Sequence, residues 1–136
     1  MKDILAMIVA VQILSDDLHY RSSGEPFYAN HLLADRVKDG LDKTIDELRE
    51  AYWLGELKAL PPTTSETYAS AIQLVNGTVG ATGNSVLKNN LKNMADLLVH
   101  NIEEIKNENL LMSGTVAILD GLSSHLLTMI GLLERI

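Results

Sequence analysis

The sequence predicts an all-α protein: a four-helix bundle with a short extra helix in the crossover between the second and third helices. Three observations indicate this fold. Apolar residues make up 46% of the chain and aromatic residues only 4%, and a composition rich in leucine and alanine suits helices better than sheets. Apolar residues also recur at helical spacing in four long segments. Proline and glycine lie between the second and third of these segments, which indicates a long connection there.

The first two predicted helices form the N-terminal half of the bundle. Residues 3–20 carry apolar side chains at helical spacing, and the segment SSGEP then interrupts the pattern. Pro26 is compatible only with the first turn of a helix, because its ring fixes φ and its nitrogen cannot donate a hydrogen bond. We therefore predict that the second helix begins at Pro26, runs as one helix to about Leu54 and ends at Gly55, a suitable C-terminal cap.

The crossover and the last two helices follow from similar signals. Thr64 is a suitable N-terminal cap for a short helix over residues 65–75. The glycines of the next segment indicate turns rather than a regular element. The third helix is predicted over residues 84–107, and the fourth from Ser113 to the end of the sequence, because each segment has its own apolar stripe.

Composition limits the possible classes of protein. The 136 residues suffice for one core, so residues 1–136 are predicted to form a single domain. The sequence contains no cysteine, which excludes disulfides and thiolate metal sites. No segment is predicted to be long enough to span a membrane, and the apolar N-terminal run is predicted to be a helix rather than a signal peptide. We therefore expect a cytoplasmic protein without a membrane partner.

Four potential metal ligands lie on the second predicted helix. His31 and Asp35 are four residues apart, and so are Asp46 and Glu50. About three helical turns separate the two pairs, so all four side chains fall within a stripe roughly 100° wide. A fifth candidate, His19, stands near the end of the first helix. Imidazole and carboxylate groups together suit iron, so the pattern predicts a metal site rather than an ordinary solvated acidic face.

The ligand stripe faces away from much of the core, because the apolar stripe lies on roughly the opposite side of the same helix. In one straight helix His31 and Asp46 are roughly 20 Å apart, too far to share one ion. A second copy running antiparallel across a two-fold axis would bring Asp46 and Glu50 of one chain to His31 and Asp35 of the other. The spacing permits a symmetric dimer with two metal sites and does not require it.

The order and spacing of these residues resemble the signature of the Dps family, the ferritin-like mini-ferritins. That family has a His-Trp pair near the end of its first helix, then Gly and Phe around a short loop. A His and an Asp one turn apart follow, and later an Asp and a Glu one turn apart. The matching residues here are His19, Tyr20, Gly24, Phe27, His31, Asp35, Asp46 and Glu50.

The resemblance implies both a fold and a function. Dps-like proteins are ferritin-like bundles that assemble into a hollow dodecamer. They bind Fe(II) between subunits, oxidise it with hydrogen peroxide or oxygen, and store the ferric mineral inside. This chain would thus be a ferroxidase-type oxidoreductase for iron storage and protection against oxidative stress. His19, His31 and Asp35 of one subunit, with Asp46 and Glu50 of another, would be its catalytic and metal-binding residues.

Several features depart from the family pattern or leave an alternative open. Tyr20 replaces the family's Trp, and the last helix offers only Asp120, with Glu108 nearby, where the family lines its iron-entry pores with acids. No Glu-x-x-His motif occurs, which excludes the di-iron site that ferritins build inside one bundle. The alternative function is a non-catalytic metal-binding or structural four-helix shell protein.

Two further predictions concern DNA and the remaining histidines. The net charge of −7 opposes binding to DNA phosphates, and no basic tail precedes the first helix, so we do not expect DNA as a partner. His100 and His125 show no obvious acidic partner one turn away. Both are therefore predicted to be structural or surface residues rather than metal ligands.

Overall fold

The computed structural model describes all residues 1–136 and contains helices but no strand, which confirms the all-α class. A π-helical segment (Arg49–Leu57) continues the third helix, and a 3₁₀ turn (Asn76–Thr78) follows the fourth. The six α-helices are α1 (Lys2–Arg21), α2 (Phe27–Lys38), α3 (Leu41–Leu48), α4 (Thr64–Val75), α5 (Asn84–Asn107) and α6 (Ser113–Leu133).

The core of the protein lies around α1. Every residue from Ile4 to Gln12 is buried, and Leu14, Ser15 and Leu18 extend the buried surface towards the end of the helix. A helix that is apolar on all sides needs neighbours on all sides, and α1 packs against α2, α4 and α5. Each large apolar side chain buried in this way contributes about 1.5–3 kcal/mol.

Four helices form a closed series of contacts, from α1 through α2, α6 and α5 back to α1. α6 packs against α5, α2 and α3, and both α5 and α2 contact α1. At one end of the molecule the Ser23 backbone N–H donates to Asn84 Oδ1 (2.9 Å), and the Asn84 amide donates to the Ser23 carbonyl (2.7 Å). The end of α1 is thereby joined to the start of α5.

The cap of α4 lies one residue earlier than predicted. Thr63, not Thr64, caps the helix: its Oγ1 atom accepts a hydrogen bond from the Glu66 backbone N–H at 3.1 Å. The same hydroxyl donates to the Glu66 carboxylate at 3.1 Å. The first of these bonds satisfies a backbone donor that the first turn of a helix would otherwise leave unpaired.

The predicted second helix is broken at Asp39 and Gly40, so the expectation of one helix from Pro26 to Leu54 is wrong. Asp39 has φ −58° and ψ 130°, and Gly40 has φ 79° and ψ −5°, which are the dihedral angles of a type II turn. Only glycine adopts the second of these conformations without strain. Asp-Gly is a common turn signal, but the apolar period continues across it and hides it.

The helix that follows the break also ends later than predicted. α3 passes at Arg49 into the π-helix, and Gly55 lies inside that segment instead of capping it. The segment ends where Lys58 adopts a left-handed φ of 52°, and the Lys58 N–H donates to the Trp53 carbonyl. Because a π-helix bonds each residue to the fifth along the chain, residues beyond Arg49 lose the angular spacing of an α-helix.

α6 is long and apolar enough to cross a membrane by length and composition alone, so the expectation that no segment reaches that length is wrong. Core helices of soluble proteins pass the same test. One face of α6, which includes Leu119, Leu126 and Leu133, is buried in the core. The helix packs there against α2, α3 and α5, which accounts for the apolar composition of that face.

Candidate metal centre

Two of the predicted ligands, His19 and His31, face each other where α1 and α2 meet. Their rings are stacked, with centroids 3.6 Å apart and planes 19° from parallel. The loop of residues 22–26 reverses the chain, and α1 and α2 pack against each other, so the end of α1 meets the start of α2. The fold thereby brings together two imidazoles that are separated by a helix end and a loop in the sequence.

Each imidazole is held by the backbone of the other residue. His19 Nδ1 lies 3.1 Å from the His31 carbonyl oxygen, and His31 Nδ1 lies 2.8 Å from the His19 carbonyl oxygen. A carbonyl oxygen only accepts hydrogen bonds, so both Nδ1 atoms are assigned the proton. In a neutral imidazole the Nε2 atom then keeps a free lone pair, and metal-binding histidines use the same arrangement.

Aromatic side chains shield the histidine pair on two sides. The Phe27 ring lies 5.1 Å from the His31 ring, and the Tyr20 ring meets the His19 ring edge to face at 4.6 Å. The His19 side chain is only 16% exposed. Tyr20 is largely exposed, so it covers an edge of the pair without becoming part of the core.

Asp35 lies next to the two histidines and is open to solvent. Its Oδ1 atom is 3.9 Å from His19 Nδ1, and its side chain is 71% exposed. One turn of α2 separates it from His31, so both side chains lie on the same side of the helix. The group formed by His19, His31 and Asp35 is called the histidine half-site below.

Asp46 and Glu50 form a separate group, called the carboxylate half-site below. Asp46 lies on α3 and Glu50 in the first turn of the π-helix, and both are exposed. Within the chain, no group of three or more His, Asp or Glu side chains is arranged to hold a metal ion. The break at Gly40 also removes the single straight helix on which the predicted ligand stripe depended.

An open polar depression of about 550 Å³ lies beside the histidine half-site, at the break between α2 and α3. Lys38 Nζ, on its wall, donates to Asp16 Oδ1 at 2.9 Å, and this hydrogen bond raises the pKa of Lys38. On the opposite side of the break, Gln12 Nε2 donates to Asp42 Oδ1 at 2.6 Å. The depression is lined by Asp35, Arg36, Lys38, Asp39, Gly40 and Asp42.

The two histidines that were not predicted as ligands lie elsewhere. His125 Nε2 is 2.9 Å from the Val37 carbonyl and connects α6 to the end of α2, which is a structural contact. His100 Nε2 is 3.0 Å from Glu104 Oε1 on the exposed face of α5. The expectation that no acid lies one turn from His100 is therefore wrong, although its surface location is as expected.

Of the two acids considered for iron entry, Asp120 lies on α6 and Glu108 just beyond the end of α5. Asp120 Oδ1 is 2.5 Å from Lys106 Nζ, and this hydrogen bond raises the pKa of Lys106. Glu108 is exposed just beyond the end of α5. Because Asp120 is already paired with a lysine, it is less available to a passing cation than the sequence alone indicates.

Sequence reasoning missed Asn30, the residue directly before His31. Its side chain is fully buried, and neither its amide nitrogen nor its amide oxygen has a hydrogen-bond partner. It shares the buried face of α2 with Leu33, Ala34 and Val37, at the spacing that places residues on one side of a helix. That spacing was the signal in the sequence from which the burial of Asn30 could have been predicted. An unpaired buried amide costs about 1–3 kcal/mol.

Comparison with family models gives no match, and neither the curated proteins nor the solved structures match this chain. The likeness to the Dps family therefore rests on the motif residues and their spacing. A helical fold alone does not assign a function. The two half-sites are the features of this chain that bear on its function.

Proposed function

We propose that this protein is a Dps-like mini-ferritin. It binds Fe(II) at sites shared between subunits, oxidises it with hydrogen peroxide or oxygen, and stores the ferric product in a hollow shell. The observation that carries the proposal is the stacked pair of His19 and His31 beside the exposed carboxylate of Asp35. Each histidine donates its Nδ1–H to the backbone carbonyl oxygen of the other. Backbone contacts of this kind orient the histidines of known metal sites.

The helix packing supports the ferritin-like part of the proposal. The contacts run from α1 through α2, α6 and α5 back to α1, and these helices, with α3 extending α2, would form the four-helix bundle. Exposed apolar side chains support an assembled state, which we take to be a dodecamer. Those on α2 and α4 include Tyr28, Leu32, Tyr68 and Ile72.

The carboxylate half-site of a second subunit would complete the histidine half-site of the first. Asp46 and Glu50 are exposed and make no ion pair in their own chain, so they are available across an interface. Two-fold pairing would create two identical sites in each dimer. Each site would offer two imidazoles and three carboxylates, a donor set that suits iron.

In the proposed reaction the side chains bind the iron and stabilise the additional positive charge that it acquires on oxidation. Two Fe(II) ions each lose one electron, the O–O bond of hydrogen peroxide breaks, and two protons are taken up to form two water molecules. The carboxylates favour Fe(III) over Fe(II), because their attraction grows with the charge of the ion. Delivering both electrons to one peroxide avoids the release of hydroxyl radicals, and so limits oxidative damage.

The test is the rise of ferric absorbance after Fe(II) and hydrogen peroxide are mixed with metal-free protein. We expect a fast rise with the natural sequence and a loss of at least about tenfold in rate with His31→Ala, which removes a ligand. His100→Ala is the matched control, because it makes the same exchange at an exposed histidine outside both half-sites. Absence of a fast rise with the natural sequence would exclude the proposal.

The alternative is a non-catalytic metal-binding or structural shell protein. Tyr20 favours it, because the Dps family has a tryptophan at this position next to the first histidine. Under this alternative Fe(II) binds, or the shell assembles, without acceleration of oxidation by peroxide. Neither candidate includes DNA binding, since the net charge of −7 opposes contact with phosphates.

A further inference from the structure

The two half-sites lie on opposite sides of the break between α2 and α3. His31 and Asp35 precede Gly40, whereas Asp46 and Glu50 follow it. In a continuous helix the helical period would set the position of one pair relative to the other. Here the type II turn at the break sets it instead. Contacts that hold this turn therefore control how the half-sites are placed within each subunit.

His125 holds the α2 side of the break. Its Nε2 atom lies 2.9 Å from the carbonyl oxygen of Val37, close to the end of α2. The last carbonyls of a helix have no partner within that helix, and the break at Gly40 leaves Val37 in this position. The Nε2–H group of His125 supplies the missing donor from α6, at a partly buried location.

No other side-chain hydrogen bond reaches the break from α6. A cleft of about 260 Å³ lies between the break and α6, with Asp39, Thr44, Glu47 and His125 in its wall. A Cβ atom built on Gly40 would meet nothing within 4 Å. Val37 and Leu41 are buried in the core on either side of the break, and Lys38 at the end of α2 donates to Asp16 on α1. On the α6 side, the hydrogen bond from His125 is the specific contact with the break.

The α3 side of the break is held separately, from α1. Gln12 is buried in the core and donates through Nε2 to Asp42 Oδ1 at 2.6 Å. Thr44 Oγ1 donates to the Gly40 carbonyl at 3.2 Å within the first turn of α3. The start of α3 is thus fixed to the core, and the angle at the break depends on how the end of α2 is held.

We propose that His125 is a positioning residue for the shared iron site. Its hydrogen bond to the Val37 carbonyl fixes the angle at Asp39 and Gly40, and so sets the register between the histidine and carboxylate half-sites. This inference rests on the proposed function. His125 does not contact the metal and acts only through the backbone of α2.

The experiment compares three variants in the assembled, metal-free protein. His125→Leu removes the donor and keeps an apolar side chain of useful size, whereas His125→Gln keeps an N–H donor at the end of the side chain. His100→Leu is the matched control on the exposed face of α5. Anaerobic Co(II) serves as the probe, because it binds without being oxidised. Binding is followed by the quenching of Trp53, the one tryptophan, which is buried in the π-helix near Glu50.

We expect His125→Leu to weaken Co(II) binding about tenfold, as loss of an orienting hydrogen bond does in metal sites. Helix content and native mass should not change. His125→Gln should recover most of the affinity, and His100→Leu should bind as the natural sequence does. A merely structural role would lower the urea midpoint of His125→Leu and leave its Co(II) midpoint unchanged. That result would overturn the proposal.

Gly40 provides a second pair of variants in case His125→Leu does not assemble. Gly40→Ala disfavours the positive φ of the turn and favours a continuous helix, whereas Gly40→Asn tolerates a left-handed conformation. We expect the alanine variant to lose Co(II) affinity and the asparagine variant to keep most of it. Equal affinity for both would overturn the proposal. If the natural protein does not bind Co(II), the proposed function fails and this inference with it; if it binds and no variant differs, only the inference fails.

Discussion

The two half-sites differ in how completely a single chain assembles them. In the histidine half-site, His19 and His31 are stacked and held by carbonyl oxygens, with Asp35 beside them. In the carboxylate half-site, Asp46 and Glu50 are exposed and have no partner in the chain. One half-site is therefore preorganised by the fold, and the other remains open to a contact from outside.

The chemistry of the side chains explains this difference. A neutral imidazole donates through one nitrogen, so a backbone carbonyl can orient it while its other nitrogen stays available. A carboxylate only accepts, and carboxylates one turn apart on a helix repel each other. Gathering all three carboxylates in one chain without a cation would be unfavourable. In the proposed dimer, each chain on its own would avoid that cost.

The largest expected effect comes from testing whether the half-sites work across subunits. His31→Ala and Asp46→Ala should each be nearly inactive in peroxide-dependent Fe(II) oxidation, because each removes a ligand from every site. When the two variants are unfolded, mixed and reassembled, one site in each mixed dimer is intact. Random pairing should then restore roughly a quarter of the natural activity under two-fold symmetry.

The control for this experiment is each variant unfolded and reassembled alone, which should stay inactive. The native mass of the mixture must match that of the natural protein. If both half-sites acted within one chain, mixing would restore nothing. A correctly assembled mixture without recovered activity would therefore contradict the shared site.

A smaller effect should appear in the stability of the metal-free protein. His19→Ala removes the stacked ring and leaves the His31 carbonyl without its donor, so we expect a loss of about 1–3 kcal/mol. Asp46→Ala removes an exposed side chain without partners and should change stability by less than about 0.5 kcal/mol. Urea unfolding of both variants measures the contrast. Equal losses would show that the histidine half-site is not the preorganised one.

Substitutions of Asn30 test whether the core next to the histidine half-site contains a group that lowers the stability of the fold. Leucine has nearly the same shape as asparagine and no polar atoms, so Asn30→Leu removes two unpaired groups and should stabilise the fold by about 1–2 kcal/mol. Asn30→Ala, which leaves a cavity, is the control and should not stabilise it. Destabilisation by Asn30→Leu in urea unfolding would contradict this expectation and point to a paired amide or to overpacking by the bulkier leucine.

The smallest effect concerns the ion pair between Asp16 and Lys38, which also links α1 to α2. The side chains are 43% and 41% exposed, so Asp16→Asn should cost less than about 1 kcal/mol. The hydrogen bond from Asp16 raises the pKa of Lys38. The contribution of the ion pair to the free energy of unfolding is therefore fully present below the ordinary lysine pKa, and it is lost as the pH rises through the raised pKa of Lys38. Urea midpoints of the variant and the natural protein should thus converge in strongly alkaline solution. A difference that persists there would exclude the ion pair as its cause.

The sequence alone was sufficient for the parts that depend on local spacing. The all-α class follows from apolar periodicity, and α5, the third of the four long helices predicted, has the predicted bounds Asn84–Asn107. The same spacing places Asn30 on one side of α2 with Leu33 and Ala34, but it was not predicted to be buried, because asparagine is polar. Reasoning from spacing failed at Asp39 and Gly40, where the Asp-Gly pair indicates a turn but the apolar period indicates a continuous helix.

By itself the sequence determined the all-α class and the order in which the five candidate ligands occur, because both depend on spacing along the chain. Only the tertiary structure decided that His19 and His31 stack, since this depends on where the loop of residues 22–26 places α2 against α1. It also decided the break at Gly40, because contacts from α1 and α6 hold the turn. Spacing along a chain is local, whereas these contacts join residues that only packing brings together.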